Sequence, residues 1–332
     1  MVLKNHKELS MRKELIILGL MGGFLAGAMT SASAGEARPV TLKNTQEFLS
    51  GPEEDPDRFR IFVAEPEGEA PPNGYPVIYI MDGNSNFGAM REELIRATNS
   101  TYRIPTVLVA IGYPEDDPWN KRRDHDLTPK LPGGELPIGP WGGEMPDTGG
   151  ADDTLDYIQD VLKPEIEAKF PIDKAHETLT GHSFGGLFTL HTFFTRPEMF
   201  STFVAMSPSI WFGDEYLLTE EAAYRENYEA DPDDAELYIL VGRCEEIVGE
   251  CDPGIKSTDK RDAWLLSNGK MVTNAEAMTE RLQAIRGDDV QNIIIDGEHH
   301  ISVIGASLAW VTKATLSDFS AEWDEADPTR RQ

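Results

Sequence analysis

The stretch Thr178-Leu179-Thr180-Gly181-His182-Ser183-Phe184-Gly185-Gly186 constrains this chain more than any other. An apolar, β-branched run leads straight into Gly-x-Ser-x-Gly, and a mixed-apolar segment through Leu187, Leu190, Phe193 and Phe194 follows. The bare pattern is weak. A strand before it and a helix after it make it a nucleophile elbow, a turn so tight that the serine is held at positive φ. Residues two before and two after that serine must be small, because strand and helix nearly collide there. Both are glycine. Ser183 Oγ is therefore expected above the carboxyl end of a central strand, within reach of a histidine.

Around the elbow, apolar β-rich runs alternate with amphipathic segments. Strands are expected at 60–64, 75–81, 106–111, before Ser183, and at 202–206, 237–241 and 292–295. Helices are expected around 86–97, 153–170, 187–195, 274–286 and 303–319. Alternation of this kind implies an α/β fold, a mostly parallel central sheet with helices on both faces. Sites on such sheets lie at the carboxyl ends of the strands. Residues 114–151 break the pattern, being rich in Pro, Gly and Asp with three cations at Lys121-Arg122-Arg123. A connection this long, expected to lack secondary structure of its own, reads as a substrate-side loop or else a solvated insertion.

The start of the chain reads as a leader. Lys4, Lys7, Arg12 and Lys13 precede a short apolar run at 15–29 that ends in Ser31-Ala32-Ser33-Ala34. This is the pattern of a secretory signal peptide cut after Ala34, leaving 35–332 as a single domain. An uncleaved anchor fits less well, because the run is short and glycine-rich. The expected compartment is a bacterial periplasm or the exterior. The formal charge of −28 becomes −30 without residues 1–34, since four basic and two acidic side chains leave with them. Such a surface repels nucleic acid and anionic membranes, so neither is an expected partner. No Ca²⁺-loop spacing is present, and neither a metal nor an organic cofactor is expected.

A serine needs a base at neutral pH. His6 lies in the leader, His182 abuts the nucleophile as a turn residue, and His191 reads as packed. His125 and His176 fall in or near loops upstream. His299 and His300 remain, just past the last strand and on the rim of the elbow, and one of them should be the base. The acid that orients it should lie between serine and histidine, after strand 237–241, where Glu245 is first choice and Glu246 second. An oxyanion hole needs two backbone N–H groups. Phe184 should supply one and Gly83 or Asn84 the other, with Asp82 bonding its own turn. Cys244 and Cys251 are close in sequence and, in an oxidising compartment, should form a disulfide beside the acid; two free thiols are the alternative.

Several of these segments resemble a known family. Pro76-Val77-Ile78-Tyr79-Ile80-Met81-Asp82-Gly83, the Gly181–Gly186 elbow, Ser207-Pro208-Ser209-Ile210-Trp211, Glu298-x-His300-x-Ser302-Val303 and Arg123-Asp124-His125-Asp126-Leu127-Thr128-Pro129 are similar to motifs of the putative-esterase family of α/β-hydrolases. That family includes esterase D relatives and periplasmic siderophore esterases. The resemblance spans roughly residues 47–316 and implies the α/β-hydrolase fold. It also implies His300 as the base, Glu245 as the acid, and substrate contacts from Arg123 and Trp211. Where the family has glycine after its histidine, this chain has Ile301.

The expected function is an exported serine carboxylic-ester hydrolase acting through an acyl-enzyme on a small-molecule ester, a siderophore lactone by resemblance. Two other readings of the same residues are a general short-acyl esterase and an acyltransferase. A non-catalytic binding protein on this fold is the remaining class.

Overall fold

Strands that are apolar on both faces need both faces covered, and the intervening helices do this. The computed structural model describes residues 38–53, 58–140, 142–231, 234–246, 251, 264 and 268–326. The expected leader, 1–34, lies outside them. The chain divides into two units, Met1–Thr41 and Leu42–Gln332. In the first, residues 38–41 are exposed and have no regular secondary structure. Everything below belongs to the second.

Among the described residues an eight-stranded sheet runs in the order β1-β2-β4-β3-β5-β6-β7-β8. The strands are β1 Thr45–Ser50, β2 Phe59–Ala64, β3 Tyr75–Met81, β4 Val107–Gly112, β5 Ile172–His182, β6 Thr202–Met206, β7 Glu236–Gly242 and β8 Val290–Ile295. β2 pairs antiparallel with both β1 and β4, and the remaining pairs are parallel. The carboxyl ends of β3 to β8 therefore share one rim.

The helices used below are α1 Gly83–Ala97, α2 Arg122–Asp126, α3 Ala151–Tyr157, α4 Lys163–Glu167, α5 Phe184–Thr195, α6 Leu217–Asn227, α7 Met271–Arg286 and α8 Ser302–Ala326. Alternation along β3 feeds two cores. Val77, Tyr79 and Met81 pack on one face with Leu155 of α3, Phe188 of α5 and Met278 of α7. Ile78 and Ile80 pack on the other with Met90 of α1 and Val311 of α8. Each fully buried aliphatic side chain of this kind contributes about 1.5–3 kcal/mol. No helix among the described residues is long and apolar enough to cross a membrane.

Two elements carry too little apolar signal to be read from sequence. β1 is a half-exposed edge strand, Thr-Gln-Glu-Phe-Leu-Ser, held by pairing rather than by burial. α6 buries only Leu217 and Glu221, and Glu221 is paired with Arg281 of α7 at 2.6 Å. The segment 114–151 also departs from expectation. It contains α2, a 3₁₀ turn at Pro132–Gly134 and a bridge between Ile138 and Glu144. Leu127 and Met145 anchor it in the core, but isolated anchors among Pro and Gly leave no periodicity to read.

Candidate active site

Ser183 closes β5 and opens α5 at φ 60° and ψ −112°. A side chain on Gly181 would put Cβ 2.6 Å from the carbonyl carbon of Gly185, so the elbow accepts only glycine there. Backbone bonds fix the turn on both sides. Ser183 N–H donates to Met206 O at 3.0 Å, and Ser209 N–H donates to Ser183 O at 3.1 Å.

Of the two candidate bases, His300 reaches Ser183. Its Nε2 lies 3.1 Å from Ser183 Oγ and its Nδ1 lies 2.6 Å from Glu245 Oε2. A carboxylate only accepts, so Nδ1 carries the proton, and Nε2 presents its lone pair to the serine hydroxyl. His299 serves the entry of α8 instead: its carbonyl accepts Val303 N–H at 3.0 Å, and its Nδ1 accepts Ile301 N–H at 3.3 Å. Glu246 is spent elsewhere too, accepting the Thr273 N–H at 2.7 Å and the Thr273 hydroxyl at 2.5 Å in the first turn of α7.

Glu245 is buried and held from below. Its Oε1 accepts Ser207 Oγ at 2.5 Å and Gly242 N–H at 2.8 Å. Ser207, at φ 42°, sits at the end of β6, and Gly242 at the end of β7. Cys244 N–H donates to Glu298 O at 2.9 Å, which ties the acid loop to the histidine loop. Cys244 and Cys251 are joined as a disulfide with Cα atoms 5.7 Å apart.

His182, expected as a turn residue beside the elbow, is the last residue of β5. It is 1% exposed, and its Nε2 donates to the His300 carbonyl at 2.6 Å. The two rings are 4.6 Å apart. Ser209 Oγ stands 3.2 Å from Ser183 Oγ. Ser207, Ser209 and His182 had no role in the sequence reading. The first two were visible as a motif, yet their partners lie on other strands.

The candidate oxyanion donors sit at the starts of two helices that leave neighbouring strands, α1 after β3 and α5 after β5. Phe184 is the first residue of α5, and Gly83 and Asn84 are the first two of α1. First-turn N–H groups have no partner within their own helix. The Asn84 side chain clamps the segment beyond β4. Its Oδ1 accepts Tyr113 N–H at 2.7 Å, and its Nδ2 donates to the carbonyls of Tyr113 and Glu115 at 3.0 and 2.8 Å.

The Asp82 side chain does not bond its own turn, contrary to the expectation from sequence; only its carbonyl does, accepting Ser85 N–H and Asn86 N–H at 3.0 Å. Held at φ 56° with no side-chain cap bond, the Asp82 carboxylate accepts Nε and Nη2 of Arg123 at 2.8 and 3.0 Å. Arg123 is 9% exposed. Burial lowers its pKa, but the charge and hydrogen bonds of Asp82 outweigh that and hold it above the usual arginine value. Removing one partner of such a pair costs about 3–5 kcal/mol. Arg122 is engaged as well, with Asp126 at 2.7 Å and over the Phe59 ring. Two of the three cations in the run are therefore already paired with carboxylates. Trp211 is buried between Phe184 and Trp264, at ring distances of 5.9 and 5.0 Å.

The remaining histidines lie apart from Ser183. His125 bonds Asp126 and His176 bonds Asp173, at 3.0 and 3.1 Å. His191 is buried, with Nδ1 2.9 Å from Glu220 and Nε2 3.4 Å from Asp152. Among the described residues no three His, Cys, Asp or Glu side chains group as a metal ion would need.

A mostly parallel sheet with covered faces, and a serine at positive φ between β5 and α5, define the α/β-hydrolase fold. The chain belongs to the family described as Putative esterase, whose model matches residues 55–308. It is 31% identical over 277 residues to the ferri-bacillibactin esterase BesA of Bacillus subtilis, covering 82% of this chain and 89% of that one. It is 37% identical over 207 residues to the siderophore triacetylfusarinine C esterase of Aspergillus fumigatus, covering 59% and 66%. The solved siderophore hydrolase EstA from Aspergillus nidulans superposes with a TM-score of 0.73 at 26% identity, over 87% of this chain and 99% of that one.

Proposed function

We propose that this protein is an exported serine esterase that opens siderophore-type lactones through an acyl-enzyme. The observation that carries the reading is the hydrogen-bonded line from Glu245 through His300 to Ser183, at 2.6 and 3.1 Å, beneath a serine at positive φ. Ser183 Oγ attacks the acyl carbon while His300 Nε2 takes its proton. The resulting oxyanion faces the N–H of Phe184 and that of Gly83 or Asn84. Collapse breaks the ester C–O bond, and His300 returns the proton to the departing alkoxide. A water then gives its proton to His300 as its oxygen attacks the acyl carbon, releasing the acid and restoring Ser183. Every step uses side-chain and backbone groups of this chain and water.

The substrate class is supported by the relatives, one named for ferri-bacillibactin and another for the siderophore triacetylfusarinine C. Export is supported by the leader pattern at 1–34 and by the disulfide at Cys244–Cys251. The test is mass-spectrometric product analysis of wild type and Ser183→Ala. Each is given 4-nitrophenyl butyrate, a formyl thioester and a ferric catecholate trilactone. Wild type should open the trilactone, with linear products gaining one water, and Ser183→Ala should not. Equal products from both proteins would overturn the serine mechanism. Turnover of the simple ester alone would make this a general esterase, and products carrying an added alcohol would make it an acyltransferase.

A further inference from the structure

We infer that Arg123 acts on the oxyanion hole rather than on the substrate, by neutralising Asp82 and joining the two halves of the hole; this rests on the serine-esterase reading above. One guanidinium touches both sides. Through Nε and Nη2 it holds the carboxylate of Asp82, the residue immediately before Gly83 and Asn84. Its Cζ also lies 5.5 Å from the ring centroid of Phe184, whose N–H is the other candidate donor. The same Cζ lies 5.7 Å from the ring centroid of Trp119. Asp82 Oδ2 in turn stands 3.5 Å from where a Cβ on Gly185 would be, so the carboxylate packs against the first turn of α5.

The placement raises an electrostatic problem that Arg123 solves. A helix-capping aspartate ordinarily turns its side chain back onto the N–H of the second or third helical residue. Here those residues are Asn84 and Ser85, and Asn84 N–H is a candidate oxyanion donor. A carboxylate free to do this would occupy the donor and set a negative charge beside the charge that develops in the transition state. Asp82, held at φ 56°, makes no such bond, and both of its oxygens are on Arg123. Arg123 is thus a positioning residue, and its loss should lower kcat with little effect on KM.

The test compares wild type, Arg123→Met, the double variant Asp82→Asn/Arg123→Met and Ser183→Ala. The substrates are a neutral ester, 4-nitrophenyl butyrate, and an anionic one, 4-nitrophenyl hemisuccinate. Asparagine keeps the positive φ at position 82 accessible. Arg123→Met should lower kcat by about 100-fold on both esters, with KM changed less than about twofold. The double variant should recover about tenfold of that loss, because the uncompensated carboxylate is gone. A loss confined to the anionic ester and carried by KM would make Arg123 a substrate contact and overturn the inference. So would a double variant no faster than Arg123→Met. If Arg123→Met does not fold, the double variant decides alone, since it buries no unpaired charge. Turnover within about tenfold of wild type on both esters then supports the inference, and a rate as low as that of Ser183→Ala overturns it. Turnover by Ser183→Ala equal to wild type would overturn the serine reading itself, whatever the Arg123 variants do.

Discussion

Glu245 and Glu246 are chemically identical neighbours, and the turn after β7 sends them to different partners. Glu245 meets His300, Ser207 and Gly242, whereas Glu246 caps the first turn of α7 through Thr273. Substituting each separates the roles. Glu245→Gln should lower kcat by about 100-fold, because an amide no longer fixes the tautomer of His300 or stabilises its cation. Glu246→Gln should leave kcat within about twofold and lower the melting midpoint by about 2 °C, the effect of weakening one cap. Steady-state kinetics and a thermal melt on both variants check this, and the reverse pattern would exchange the assignments. At this scale the sequence was informative about residue types and local turns. The glycine pattern around Ser183 announces its backbone geometry, because a tight turn is a requirement of five consecutive residues. Asp82 departs from its local expectation, since its partner is 41 residues away and no local rule names it.

At the scale of elements, α3, α5 and α6 meet around one buried imidazole. His191 of α5 lies 2.9 Å from Glu220 of α6 and 3.4 Å from Asp152 of α3. Burial lowers its pKa, but the hydrogen bonds and charges of Asp152 and Glu220 outweigh burial and raise it to about 9. That value lies above the roughly 6.5 of an unfolded histidine. The stabilisation is therefore complete below about pH 6.5 and is lost as pH rises through about 9. The melting midpoint should fall between pH 7 and about pH 9.5 in wild type, and this slope should flatten in His191→Gln. An unchanged slope in the variant would show that other groups control the alkaline limb. The helix containing His191 was legible from its apolar run, and the histidine itself was read as packed. Its ion pairs were not legible, because they depend on α6, a helix with almost no apolar face.

For the whole molecule, 58 acidic against 30 basic residues give −28, a charge that repels itself in the compact state. Raising NaCl from about 0.02 to about 0.5 M shortens the Debye length from about 20 to about 4 Å and screens that repulsion. The melting midpoint should therefore rise with salt, measured by calorimetry at fixed pH. A falling midpoint would mean that attractive pairs such as Arg60–Glu47 and Lys174–Glu167 dominate the surface. Local pattern suffices for strands β2 to β8, the helices with an apolar face, the class of sheet, the turn at Ser183 and the two loops that carry Glu245 and His300. These follow from apolar periodicity and turn geometry, which act over a few consecutive residues. Which of two adjacent candidates meets its partner, the closure of Arg123 on Asp82, and the bonds from Ser207 to Glu245 and from His182 to the His300 carbonyl all come from tertiary packing. Such contacts are set by the register of neighbouring strands, where residues far apart in the chain come within 3 Å, and no local pattern encodes that distance.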